Sequence, residues 1–293
     1  MLAARIDSFG AIVHKEQIPT PVSTLADASN LNDGLLALID SVLDGHRVDA
    51  VGIASAGPID IQAGTISPIN IAGWDSFPLA KLIESHLGNV EISLVGDAVA
   101  SAYGEYVEGA GVGAISMLGI VVSTGIGGGL VLDGRPFMGA SANAGHFGHI
   151  GIHSDGDRCA CGSTGCTETI ASGPSMVRHA QRLGWVGDDA RQLVADARRG
   201  NSVALEAIDR GARALAEAIC TTALVVDLDR VVIGGGVSAA GDLLLDPIRS
   251  AIEECARVPF VKAVRVVPSA LGGDAGIIGV GRIVREPAFA ELS

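Results

Sequence analysis

Apolar positions along the chain repeat with two periods, and the order of those periods predicts an α/β architecture. Residues 2–6 and 11–17 read as two strands around a turn at 7–10. Spacings of three and four over 30–43 predict a helix. A short apolar strand at 51–54 runs into the turn Ser55-Ala56-Gly57-Pro58. A helix follows at 79–87, then a strand at 92–95, then a helix over 98–106 with Asp97 at its start.

The second half opens with a strand-like run over 113–122, the loop STGIGGG at 123–129, and the apolar LVL beyond it. Helical spacing covers 173–184, 188–198 and 202–224. A strand at 231–233 enters Gly234-Gly235-Gly236, a helix is expected over 246–256, and a strand over 263–267. The stretch 109–132 carries no charge and is long enough to imitate a membrane span. Its eight glycines and Ser-Thr-Gly turn predict two buried strands and a loop instead. Polarity shifts near 108–113, which marks the expected domain boundary. The expected division is a smaller N-terminal α/β domain, 1–110, joined by a C-terminal helix at 282–293, and a larger domain, 111–281.

Composition narrows the function classes. At 293 residues with a net charge of −13, the chain is a poor candidate for nucleic acid. An acidic protein still accommodates ATP, because backbone N–H groups and Mg²⁺ manage the phosphates. The N-terminus, MLAARIDSFG, brings an acid and a glycine before any apolar core forms, so no secretory leader is expected. Cytoplasmic placement, and no membrane partner, are expected on the same grounds. Cysteine usage points to a reducing compartment rather than a disulfide framework. Cys220 lies in an apolar helical pattern and is expected in the core.

The sharpest chemical signal is His149 followed by Cys159, Cys161 and Cys166 in the run CACGSTGC. One imidazole and three thiolates at these spacings can supply a tetrahedral Zn²⁺ site; the alternative is scattered buried cysteines. Gly162 and Gly165 allow the tight turns that would bring the sulfurs together. Asn143 and His146 precede the cluster and Glu168 follows Cys166 by two residues, so a rigid metal loop would present polar groups to sugar hydroxyls. His146 read alone is equally a histidine supporting the ligands or a surface residue.

The loop STGIGGG lacks the Lys of a Walker A motif and is not followed by a helix. It is either a phosphate cradle, with N–H groups from Gly125, Ile126, Gly127, Gly128 and Gly129 and the hydroxyl of Thr124, or a Gly-rich hairpin. Gly234, Gly235 and Gly236 allow close approach of an adenosine group, or simply a tight turn after a strand. The run Gly272-Gly273-Asp274-Ala275-Gly276 has the same ambiguity, with Asp274 as a helix cap. Asp97, just past a strand end, is positioned as a general base or as a helix cap.

Together these elements resemble the ROK family of bacterial sugar kinases and sugar-responsive repressors. The resemblance spans nearly the whole chain and implies an actin-like, ribonuclease-H-like fold: two α/β domains flanking a cleft, with a structural zinc loop. It implies Asp97 as catalytic base, Gly57, Asn70, Asn143, His146, His149 and Glu168 lining the sugar site, and a homodimer. It further implies a structural Zn²⁺ on His149, Cys159, Cys161 and Cys166, with ATP and Mg²⁺ as partners of catalysis. The family commonly carries Glu where this chain has His146. The run AGHFGH is similar to that of bacterial N-acetylmannosamine kinases, as are VSTGIGGG and EQIPTP. An imidazole donates to an N-acetyl carbonyl, whereas a carboxylate only accepts. The expectation is therefore ATP-dependent phosphorylation of the 6-hydroxyl of an N-acetylated hexosamine, foremost N-acetylmannosamine. The rivals are a glucokinase, an N-acetylglucosamine kinase, and a catalytically impaired sugar-binding protein.

Two departures from the family pattern carry expectations of their own. Gly96 stands where the family usually has an Asn that contacts sugar. The family's opening strand, ending in Asp-x-Gly-Gly-Thr, is missing before Leu2. Loss of a central strand is expected to leave two strand edges unpaired, pointing to a functional polypeptide that begins upstream of Met1 or to a short form impaired in ATP binding.

Overall fold

The computed structural model describes residues 1–21, 28–68, 71 and 73–286. The chain divides into two compact units. Unit 1 contains Met1–Gly104, Met138–Ala144 and Asp274–Ser293; unit 2 contains Glu105–Phe137 and Gly145–Gly273.

Unit 1 opens with β1 (Leu2–Ile6) and β2 (Ile12–Gln17), an antiparallel pair. Their turn is set by Asp7, whose Oδ1 accepts from the N–H groups of Phe9 at 2.8 Å and Ala11 at 2.9 Å. Helix α1 (Ser29–Leu43) buries Leu31, Leu38 and Val42, the stripe its spacing predicts. Strand β3 (Ala50–Ser55) leads to the short hairpin β4 (Ile59–Asp60) and β5 (Thr65–Ile66). Helix α2 (Leu79–Leu87) then delivers the chain to β6 (Glu91–Gly96), which pairs parallel with β3 from Ala50↔Glu91 to Ser55↔Gly96. Helix α3 (Asp97–Glu108) begins on the residue after β6.

Strands β1–β2 and β3–β6 form separate two-stranded sheets, and no ladder joins them among the described residues. β1 has no fully buried residue, and the Arg5 Nε atom is buried without a hydrogen-bond partner.

Unit 2 is built on a five-stranded sheet in the order β11-β10-β7-β8-β9. Its strands are β7 (Ser116–Val122), β8 (Ile126–Leu132), β9 (Arg135–Phe137), β10 (Arg230–Gly234) and β11 (Arg265–Pro268). The run 109–132 does fold as two strands, but the turn between them is shorter than the sequence predicts. Ile126 already pairs with Val122, and Gly127, Gly128 and Gly129 lie in the β8 ladder. A Cβ on Gly128 would come within 2.6 Å of Phe147 Cβ, so these glycines admit a neighbouring segment rather than loosen a loop.

Helices α4 (Glu168–Ala171), α5 (Gly173–Arg182), α6 (Ala190–Arg198), α7 (Ser202–Val226), α8 (Asp242–Cys255) and α9 (Pro259–Lys262) complete unit 2. Asp189 and Asn201 cap α6 and α7 by accepting from Gln192 N–H at 2.8 Å and Ala204 N–H at 2.9 Å. Helix α7 buries Ala204, Ala207, Ile208, Gly211, Leu215 and Ile219. Each of its large aliphatic side chains contributes about 1.5–3 kcal/mol by leaving water. Cys220 joins this core as expected, and burial, together with neighbouring Cys255, pushes its thiol up to about 12.

The last helix, α10 (Ala275–Ile283), belongs to unit 1; most of the helix expected at 282–293 lies outside the described residues. α10 packs on both small sheets. A Cβ on Gly52 of β3 would lie 2.7 Å from Val280 Cγ2, and one on Gly281 would lie 2.4 Å from Ile6 Cδ1 of β1. A Cβ on Gly104 of α3 would overlap the Ala275 carbonyl, so these helices meet backbone to backbone.

Candidate sugar and nucleotide sites

The sulfur cluster is assembled by short-range turns. Cys159 N–H donates to Ser163 O at 2.8 Å and Gly162 N–H to Cys159 O at 3.0 Å, closing a knuckle. Gly162 has φ +93° and Gly165 φ +70°. A side chain at Gly165 would collide with the His153 carbonyl, so only glycine fits there. An isolated bridge between Gly151 and Cys166 brings the last sulfur back beside His149.

The donor atoms of His149, Cys159, Cys161 and Cys166 all lie within 4.8 Å of one another. Cys159 Sγ is 3.5 Å from His149 Nδ1, and Cys161 Sγ is 3.7 Å from Cys166 Sγ. Tetrahedral zinc with bonds of about 2.3 Å to sulfur and about 2.0–2.1 Å to nitrogen has edges of about 3.75 Å and 3.5 Å. The residues therefore fit such an ion. Without one, burial pushes the Cys166 thiol up to about 12, helped by the sulfurs beside it. The Ser163 backbone N–H instead pulls the exposed Cys161 down.

His146 is exposed, and its ring stacks on that of His149 with centroids 5.9 Å apart and planes inclined by 19°. Glu168 opens α4, and its Oε2 accepts from Ile126 N–H at 2.7 Å. The cluster, His146 and Glu168 thus share unit 2 with the β7–β8 turn.

Thr124 is exposed on that turn, at the mouth of a cavity of about 600 Å³ lying wholly in unit 2. Gly236 and Val237 line it as well, and so do the N-terminal residues of α5 and α6, Gly173 and Ala190. Three arginines, Arg178, Arg191 and Arg198, line it together with two acids, Asp188 and Asp189. Three arginines against two acids leave the lining with a net positive charge that suits a polyanion, while the first-turn N–H groups of Gly173, Ser175 and Gln192 are already bonded to Ser123 O, Ser172 Oγ and Asp189 Oδ1. Of the glycines expected to bind nucleotide, Gly236 reaches this cavity. Gly234 ends β10, and a Cβ on Gly235 would lie 2.4 Å from the Val122 carbonyl. Gly125 lies beside Glu168, and residues 126–129 are strand. The arginines escape a reading of the sequence because nothing local marks them; Ser172 capping Ser175 with Pro174 in the first turn does mark the start of α5.

In unit 1, Asp97 is exposed at the first turn of α3, and its Oδ1 accepts from Ala98 N–H at 2.7 Å. Asn143 is brought to the segment after Gly57. Its Oδ1 accepts from Ile59 N–H at 2.9 Å, and its Nδ2 donates to Ile59 O at 2.9 Å and Ser141 O at 2.7 Å. With both amide hydrogens engaged, Asn143 pins this loop and retains only acceptor capacity for a ligand. Asn70 lies outside the described residues.

Glu105 gives no sequence signal, yet its carboxylate accepts four hydrogen bonds. It is 3% exposed, and its Oε1 accepts from Ser269 Oγ at 2.5 Å and Leu271 N–H at 2.9 Å. Its Oε2 accepts from Ala110 N–H at 2.9 Å and Ala270 N–H at 3.1 Å. This carboxylate organises the loop entering Gly272 and Gly273.

Comparison with known proteins places these features in a family. The family model described as ROK family matches residues 1–286. The chain belongs to the ROK family. An Escherichia coli N-acetylmannosamine kinase is 37% identical over 289 residues, covering 97% of this chain and 94% of the relative. A Streptomyces coelicolor glucokinase is 31% identical over 303 residues, covering 97% and 94%. Among solved structures, a ROK family glucokinase from Streptomyces griseus in complex with glucose and AMPPNP matches with a TM-score of 0.84. It is 32% identical, with 97% of this chain and 95% of that chain covered. As a ROK protein, the chain has an α/β sugar-kinase fold.

Proposed function

We propose that the chain is an ATP-dependent kinase of N-acetylated hexosamines, acting on the 6-hydroxyl, with N-acetylmannosamine as the preferred sugar. The kinase reading is supported by the combination in a ROK protein of Asp97 at a helix start with a cationic cavity beside Thr124. His146 beside the His149–cysteine cluster carries the choice of sugar, and the 37% identity to an N-acetylmannosamine kinase agrees with it.

In this reading the sugar O6 attacks the γ-phosphorus of ATP. The O6–P bond forms, the bond from that phosphorus to the β,γ-bridging oxygen breaks, ADP leaves, and the O6 proton passes to the Asp97 carboxylate. Arg178, Arg191 and Arg198 hold the nucleotide's negative charge. Mg²⁺, when bound with ATP, neutralises charge developing on the phosphates. His149, Cys159, Cys161 and Cys166 would hold Zn²⁺, whose contribution is to stiffen the loop bearing His146 and Glu168. His146 donates to the N-acetyl carbonyl while Glu168 accepts from a sugar hydroxyl.

Glucose is the second reading, supported by the resemblance to Streptomyces glucokinases. Specificity constants for N-acetylmannosamine, N-acetylglucosamine and glucose separate the two. The expected order puts N-acetylmannosamine first by about tenfold or more, the discrimination available from one or two hydrogen bonds. A preference for glucose would remove the role given to His146.

A further inference from the structure

The β7–β8 turn is gripped from two sides by residues that follow the sulfur cluster. On one side Glu168 Oε2 accepts from Ile126 N–H at 2.7 Å, and a Cβ on Gly125 would lie equally close to that oxygen, at 2.7 Å. On the other side Gly173 N–H donates to Ser123 O at 2.9 Å. The turn is closed by Ser123 N–H donating to Gly125 O, also at 2.9 Å.

The path from the cluster to this turn is short and leaves little freedom. Cys166 is followed by Thr167, which is fully buried and donates to Ile150 O through its N–H at 2.9 Å and its hydroxyl at 3.0 Å. Glu168 comes next, its carbonyl accepting from Ser175 Oγ at 2.9 Å and Ser172 N–H at 3.2 Å. Thr167 and Ile150 adjoin the cluster residues Cys166 and His149, so a displacement of the cluster is passed through their hydrogen bonds to Glu168. Ile126 is 5% exposed, so water is a poor substitute for the carboxylate on its N–H.

We propose that Glu168 is a positioning residue coupling the His149–cysteine cluster to the turn that carries Thr124, so that a metal on the cluster tunes nucleotide affinity as well as the sugar site. Its consequence for nucleotide rests on the kinase reading above; the coupling itself rests on the contacts alone. A cation fixes Cys166, and with it Thr167 and Glu168. If the cation leaves, His149 and Cys166 lose their common anchor, the Ile150–Thr167 contact shifts with them, and the bond from Ile126 N–H to Glu168 weakens.

The test is amide hydrogen exchange over residues 123–127, with exchange in α7 as internal reference. It compares the zinc-loaded chain, the chain after chelation, and Glu168→Ala with its zinc content measured. Affinity for AMPPNP, titrated without sugar, is read in parallel. Expected are exchange faster by about tenfold or more, and AMPPNP affinity weaker by a similar factor, both after chelation and in zinc-loaded Glu168→Ala. Glu168→Gln keeps a neutral acceptor oxygen and should stay close to the parent in both. Parent-like exchange and affinity in zinc-loaded Glu168→Ala would overturn the coupling. So would loosening of Glu168→Gln as large as that of Glu168→Ala. Failure of the zinc-loaded parent to bind AMPPNP would count against the kinase reading alone, and the exchange comparison would still decide the coupling.

Discussion

Individual side chains here divide into those whose chemistry is announced by spacing and those whose chemistry depends on what the fold brings to them. His149, Cys159, Cys161 and Cys166 are of the first kind: the spacing named the set, and the structure holds the four donor atoms within 4.8 Å. Glu105 is of the second. Its four donors come from residues 110 and 269–271, so nothing adjacent in sequence marks it. Replacing it with Ala removes the shared acceptor of three partly buried backbone N–H groups and the Ser269 hydroxyl, and stability to urea should fall by about 1–3 kcal/mol. Glu105→Gln should not rescue fully, because its NH₂ would face at least one backbone N–H wherever it points. Loss of less than about 1 kcal/mol in either variant would contradict this account. Asn143 shows the opposite lesson. Its place beside the cluster in sequence suggested a sugar contact, and its bonds to Ile59 and Ser141 leave only acceptor capacity on Oδ1 for one.

At the scale of elements, periodicity located most helices because their apolar stripes are long. The helix at 202–224 in the sequence reading extends to Val226, and Leu79–Leu87 is unchanged. The errors fall where a residue type points two ways. The expected helix begins at 246, yet α8 starts at Asp242 and contains Pro247. Glycines 127–129 suggested a loop, yet they pair with β7 so that Phe147 and Gly145 can approach the strand. Strand pairing was the least legible property, since it is set by contacts far apart in sequence. It matters most in unit 1, where β1 and β3 share α10 as a neighbour but belong to separate sheets. Edge groups without ladder partners open to water more readily than those inside a sheet. Hydrogen exchange should therefore be faster at outward-facing amides of β1 and β3 than in β7 and β10, which are paired on both sides. Equal protection in the two groups would show that the small sheets are not open-edged in solution.

For the molecule as a whole, composition supplies expectations about partners rather than a fold. A net charge of −13 argued against nucleic acid, and no described helix is long and apolar enough to cross a membrane. The composition shift near 108–113 lies close to one passage between the units, at residues 104 and 105, while those at 137–138, 144–145 and 273–274 leave no mark in composition. ROK membership joins the pieces: Asp97 in unit 1, and in unit 2 the metal-ready loop, Glu168 and the cationic cavity. The central claim is that these groups transfer a phosphoryl group from ATP to an amino sugar. The most direct measurement is ADP release by the zinc-loaded chain with N-acetylmannosamine, with the phosphorylated carbon located by NMR. The account predicts ADP release that requires the sugar, phosphate on O6, and a rate reduced by about 10²-fold or more in Asp97→Asn. Absence of sugar-dependent ADP release, or an Asp97→Asn variant as fast as the parent, would contradict it.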